Sequence, residues 1–250
     1  VININKAFSY PFGDKEWPIK ILVGAAISAF PLANFISVGY KYKIFKSVLN
    51  GEEPYMPEWD DFKGLFFQGI WLFLIGLCYI VPPMIVGSLG FMVIFFGVLV
   101  TIAKVEAGVI ILLIGVAFIS AGFFLWMLAA FLYPMALASY AKGDENFVEA
   151  FRIVEIFKRT LAVFGDYVIA FIVMYVVVFV MLVLFIFPLV GILFSIVSIF
   201  FIFYISYLLW PALFGTACMD AFERDTAPKT ALEKKKPSKK EPTKKDLKSK

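Results

Sequence analysis

Apolar runs without a charged residue dominate this chain between Ile19 and Gly215 and leave few folds open to it. A run of about 20 such residues is long enough for a helix to cross the hydrocarbon of a bilayer. Leu, Ile, Val and Phe face lipid there without penalty, whereas a charge costs a few kcal/mol. Composition agrees. The chain is 62% hydrophobic and only 17% charged, with a mean hydropathy of +0.89, against roughly a quarter charged in a soluble domain. The expectation is an all-α integral membrane protein of about six transmembrane helices.

The punctuation between runs divides the chain. Residues 1–18 form an aromatic and Lys-bearing lead-in suited to the membrane interface, and residues 19–216 a polytopic domain. Spans are expected over Ile19–Val38, Gly64–Val86, Ser88–Ala103, Gly108–Tyr133, Tyr167–Phe187 and Ile192–Gly215. Pro31 and Asn34 predict a kink in the first. Pro82-Pro83 with Gly87 predicts a turn between the second and third. Acidic Asp14 and Glu16 ahead of the first run do not suit a signal peptide. Residues 217–250 read as a disordered tail, because ten lysines, three prolines and few large apolar side chains from Asp220 onward cannot bury a core. Such a tail suits anionic lipid headgroups.

Two charged elbows interrupt the apolar runs. The first, Tyr40 to Gly64, carries Lys41, Lys43 and Lys46; a helix is expected to start at Pro57, with Glu58, Asp60 and Asp61 at the positive end of its dipole. In the second, Asn146 and Glu149 have capping-box spacing. The helix that follows sets Glu149, Arg152, Glu155 and Arg159 on one side and Phe147, Phe151, Val154 and Leu161 on the other, the pattern of an interfacial amphipathic helix.

The halves echo each other. Phe30-Pro31-Leu32-Ala33 matches Tyr133-Pro134-Met135-Ala136, Tyr40 matches Tyr140, and Gly51-Glu52-Glu53 matches Gly143-Asp144-Glu145. The expectation is two three-helix repeats, 19–103 and 107–216. If all six helices cross, the second repeat is inverted and the elbows lie on opposite sides. If residues 80–105 re-entered instead, both elbows would share the cytoplasmic side. Six crossings is the arrangement expected. With both termini cytoplasmic, Lys6, Lys15, Lys20, Lys142, Arg152, Lys158 and Arg159 lie inside, against Lys41, Lys43, Lys46, Lys63 and Lys104 outside. That narrow balance favours this orientation.

Chemistry is sparse. Without His, Ser-His or Cys-His nucleophile pairs and the common zinc sites cannot form. Cys78 and Cys218 match no metal or redox spacing. No catalytic, cofactor-binding or metal-binding residue is expected, no cofactor and no nucleic-acid partner; binding residues and protein partners stay open. The polar groups inside the runs, Asn34, Gln68, Ser120, Ser195 and Ser198, include no ionisable residue of the kind ion-coupled pumps keep at the midplane.

The stretch from Phe8 carries Tyr10-Pro11-Phe12, Trp17, Gly39-Tyr40, Pro57-Glu58-Trp59 and Gly69, and the second half carries Tyr133-Pro134 and the Asn146 to Phe157 helix. Over about Phe8 to Ala221 the chain resembles the prokaryotic membrane family known as domain of unknown function 4013. The resemblance implies a multi-span membrane protein of a prokaryotic cell membrane and assigns no activity. The expectation is a non-enzymatic scaffold or lipid-interacting component, with a passive channel or transporter as the alternative.

Overall fold

The computed structural model describes residues 3–103, 106–186 and 200–234; their regular elements are all helical, with no strand among them. A short helix α1 (Ile4–Ser9), a 3₁₀ turn (Tyr10–Gly13) and α2 (Trp17–Ser28) lead into α3 (Asn34–Leu49). Two long helices follow, α4 (Phe62–Ile102) and α5 (Ala107–Lys142). A 3₁₀ segment (Phe147–Phe151), α6 (Ile153–Ala162) and α7 (Phe164–Ile186) come next; a π-helical turn (Tyr204–Leu209) then runs into α8 (Trp210–Lys234). Among the described residues, four helices are long and apolar enough to cross a membrane: Phe62–Ile102, Ala107–Lys142, Phe164–Val183 and Phe200–Arg224.

Several expected boundaries move. The first expected span is broken at residues 29–33 into α2 and α3, and α3 runs on to Leu49 through what was expected to be a polar connection. Tyr40, Tyr42, Ile44, Phe45, Val48 and Leu49 are all core residues, so α3 is a central helix. No turn forms at Pro82-Pro83: both prolines lie inside the unbroken α4, and the second and third spans are one helix. The helix expected from Pro57 starts at Phe62, where the Asp61 carboxylate accepts from the Gly64 N–H at 2.8 Å. The last helix continues to Lys234, with Ala217, Cys218 and Ala221 buried, so the boundary expected at 217 falls inside α8. Residues 187–199 and 235–250, which include the turn after the fifth span and most of the lysines of the tail, lie outside the described residues.

α4 and α5 pair antiparallel through their glycines. Gly90 and Gly97 on α4 and Gly108, Gly115 and Gly122 on α5 recur every seventh residue and are buried. A Cβ at Gly90 would stand 2.7 Å from the Ile119 backbone nitrogen and 2.9 Å from the Gly115 carbonyl oxygen; one at Gly122 would stand 2.7 Å from the Gly87 nitrogen. Without a hydrophobic drive inside lipid, such close backbone packing is what holds helices together. From Met84 outward along α4, and up to Leu132 along α5, these glycines are the only buried residues of the two helices. Phe91, Phe95, Phe96, Leu113, Phe123 and Phe124 point away from the seam and are more than half exposed, as lipid-facing side chains are.

The other half of the hairpin is embedded. α3 crosses α4 at two more glycines: a Cβ at Gly39 would fall on the Leu65 carbonyl oxygen, and one at Gly69 on the Phe35 carbonyl oxygen. One core cluster gathers Phe45, Leu72, Ile75, Met135, Tyr167 and Phe214; a second gathers Ile21, Tyr40, Ile44, Leu65, Phe203 and Leu208. The first elbow straps the second cluster. Its Trp59 stacks on Tyr40 with ring centres 4.1 Å apart and donates to the Lys20 carbonyl at 3.2 Å. Lys20, 4% exposed, is held by Asp14 at 2.7 Å, by Glu58 and by the Met56 carbonyl at 3.3 Å. That ammonium holds the Asp14 carboxyl below its ordinary pKa.

The seam yields a paired expectation. Gly90→Ala forces overpacking of the hairpin and destabilises by about 1–3 kcal/mol. Gly87→Ala, whose Cβ would meet nothing within 4 Å, is neutral or stabilising by up to about 1 kcal/mol. Thermal melting of the two variants in the same detergent measures the contrast.

Candidate functional site: the elbow face and the cavity beneath it

Because α4 runs out and α5 runs back, the two elbows meet. Lys46 of α3 pairs with Glu145 at 2.7 Å, and Lys142 donates to the Asn50 side chain at 3.0 Å. Asp144 and Glu145 both adopt left-handed backbone, φ 54° and 60°, a strained choice for non-glycine residues. That turn carries the Glu145 carboxylate to Lys46 and, at 3.5 Å, to the Tyr42 hydroxyl. The contact places both elbows at one end of the hairpin, unlike the opposite-sided arrangement expected from six crossings.

The second elbow folds partly as its sequence suggests. The Asn146 side chain caps it, accepting from Val148 N–H at 3.0 Å. Arg152 pairs with Glu149 at 3.0 Å and Glu155 at 3.6 Å, and Arg159 with Glu155 at 3.9 Å, so the charged side forms as expected. The apolar side differs. The first turn is 3₁₀, the chain re-starts at Ile153, and Ile156 and Thr160 face the core, while Val154, Phe157 and Leu161 face outward. These outward residues suit a helix lying along the lipid surface.

Proline opens a gap beside the cavity, and a tyrosine fills it. Pro134 sits inside α5 and carries no N–H. The Tyr167 hydroxyl inserts there, donating to the Phe131 carbonyl at 2.8 Å and accepting from the Met135 N–H at 3.1 Å. Those two groups would bond each other in an unbroken helix, so one hydroxyl replaces a rung of the ladder. Tyr79 likewise donates to the Ala150 carbonyl at 2.7 Å.

Between these elements lies a cavity of about 520 Å³. Val38 and Lys41 of α3, Leu72 and Gly76 of α4, Ala129 and Tyr133 of α5, Phe171 of α7 and the Ser206–Trp210 turn wall it. Phe73, Leu77, Ile80 and Trp126 form its rim, each between two-fifths and about half exposed. The Lys41 ammonium sits over the Trp210 ring, 3.6 Å from its centre, a cation–π contact. The π-helical turn beside it presents Ser206 and Tyr207 to the same space, and π-turns concentrate at functional sites.

The polar residues singled out from the sequence do not build this cavity. Asn34 accepts from the Tyr207 hydroxyl, the Ser120 hydroxyl bonds the Val116 carbonyl, and the buried Gln68 amide nitrogen lacks a partner among the described residues. Ser195 and Ser198 lie outside the described residues. Glu58 pairs with Lys20 and Asp61 caps α4. Cys78 and Cys218 are both free thiols, and no cluster of three metal-ligating side chains occurs among the described residues. Sequence reasoning missed Lys41 because it follows an apolar run in a lysine-rich stretch that reads as an interface.

The family model described as Protein of unknown function (DUF4013) matches residues 22–190. That match takes in both elbows, the whole hairpin and the α3, α4 and α5 walls of the cavity, and stops short of Trp210. No curated protein and no solved structure matches the chain. Replacing the inserted hydroxyl tests the local geometry. Tyr167→Phe leaves the Met135 N–H and Phe131 carbonyl unpaired and lowers stability by about 1–3 kcal/mol. Tyr175→Phe, on an exposed site of the same helix, leaves the melting temperature unchanged.

Proposed function

Starting from a chain that belongs to the DUF4013 family, we propose a non-enzymatic, lipid-interacting component of a prokaryotic cell membrane. The observation that carries this reading is the cavity: apolar walls from several helices, with a rim of side chains of the lipid-facing kind. Ligand sites have this character, concave and mostly apolar with few polar groups. The outward apolar side of α6 adds a surface suited to the headgroup boundary. Both termini are assigned to the cytoplasm, where the Lys-rich residues after Lys234 meet anionic headgroups.

The reading of six crossings in two inverted repeats has less support than one built on the α4–α5 hairpin, because the elbows are joined by Lys46–Glu145. A passive channel or transporter would need a polar path. Asn34 instead accepts from Tyr207 across the bundle, and Ser120 bonds the backbone of its own helix. The test is copurification. The full chain, extracted in a non-ionic detergent and washed, is expected to retain lipid in native mass spectrometry. A lipid-free protein that passes small solutes in reconstituted vesicles would replace this reading with the transporter.

A further inference from the structure

The cavity has a polar end and an apolar end, and the polar end is incompletely satisfied. Among the described residues, Lys41 has neither a carboxylate nor a hydrogen-bond acceptor; its one recorded partner is the Trp210 ring. The Tyr133 hydroxyl, which lies beside Gly76, and the Ser206 hydroxyl also have no hydrogen-bond partner among the described residues. Lys41 is partly buried; withdrawing an ammonium from water without an anion is costly, and the cation–π contact offsets only part of that. Among the described residues, no other charged side chain lines the cavity.

Depth orders these groups. At about 1.5 Å of rise per residue, Lys41 lies about 7 Å along α3 from Lys46, which pairs with the second elbow. Tyr133 lies about 13 Å along α5 from Lys142, and Trp126 about 24 Å. The cation is therefore nearest the charged elbow face, and the Trp126 and Ile80 rim lies deeper among the apolar side chains. A bound amphiphile would lie as lipids do, head toward the elbows and chain toward the hydrocarbon.

We infer that this cavity binds a single-chain amphiphile with a carboxylate head, a long-chain fatty acid, with Lys41 as its counter-ion. One cation matches one negative charge, and the Tyr133 and Ser206 hydroxyls are within the same space to donate to the carboxylate. The 520 Å³ volume suits one acyl chain better than the two of a phospholipid. The inference rests on the lipid-interacting reading and narrows it to one ligand class and one site.

The test uses the full chain in non-ionic detergent at mildly alkaline pH, with direct binding of radiolabelled palmitate. Hexadecanol, hexadecyltrimethylammonium and phosphatidylglycerol serve as competitors. Palmitate is expected to bind about tenfold or more tighter than hexadecanol, since a hydrogen-bonded ion pair contributes that much. Lys41→Gln removes the preference for acid over alcohol, Lys41→Arg keeps it, and Gly76→Leu, which fills the cavity, weakens both ligands. Equal binding of acid and alcohol by the wild type, unchanged preference in Lys41→Gln, or no palmitate binding overturns the inference. So does competition by phosphatidylglycerol as strong as by palmitate itself. Lipid that copurifies while palmitate fails to bind would sink the fatty-acid site and leave the broader reading standing.

Discussion

Where Gly90 faces Gly115 and Gly122 faces Gly87, the two long helices touch through their backbones, and everything at the elbow end depends on that contact. The seam holds α4 and α5 antiparallel along the part of the hairpin that no other described element covers. A chain that leaves the first elbow on α4 must then return on α5 to the same level. Lys46 and Glu145, far apart in sequence, pair because of it. The 41 residues of α4 span about 60 Å, twice the hydrocarbon thickness of about 30 Å. A helix pair of that length meets a bilayer by tilting, bending or thickening it locally.

Tyrosine hydroxyls finish what the backbone leaves undone. Tyr167 bridges the break at Pro134, Tyr40 donates to the Pro57 carbonyl at 3.0 Å, Tyr10 to Leu208 at 3.1 Å and Tyr204 to Phe8 at 2.6 Å. Each capped carbonyl lies at a turn, a proline or the π-helical segment, where the ladder falls short. Away from water an unsatisfied backbone group costs several kcal/mol, so these long-range bonds tie irregular segments into the bundle. Against that background the unpartnered groups around the cavity stand apart: the Tyr133 and Ser206 hydroxyls and the Lys41 ammonium share one space.

Much of the architecture is legible in the residues. Unbroken apolar runs require membrane-capable helices, Asn146 signals a cap, and the Glu149 to Arg159 spacing forms its ion pairs. The failures have physical causes. Pro82-Pro83 reads as a turn because proline breaks helices in water, whereas α4 carries both. The seven-residue glycine spacing that marks the seam is lost among scattered glycines unless the two helices are read together. Lys41, Lys43 and Lys46 read as a polar connection because charge outweighs the aromatic residues between them, yet those aromatics set α3 into the core. The matched Phe30-Pro31 and Tyr133-Pro134 pairs are not equivalent in place: the first follows the end of α2, and the second lies within α5. Nothing local announces the cavity, since its polar groups come from α3, α5 and the turn before α8.

The α4–α5 hairpin brings the chain back to the end from which it left and joins the two elbows there. Single cysteines at Asn50 and at Asn146, both exposed, in a background with Cys78 and Cys218 changed to Ala, report it in sealed vesicles of one orientation. An impermeant maleimide is expected to label both positions from the same side and neither from the other. Labelling of Asn50→Cys from one side and Asn146→Cys from the opposite side would contradict the hairpin and restore the inverted arrangement.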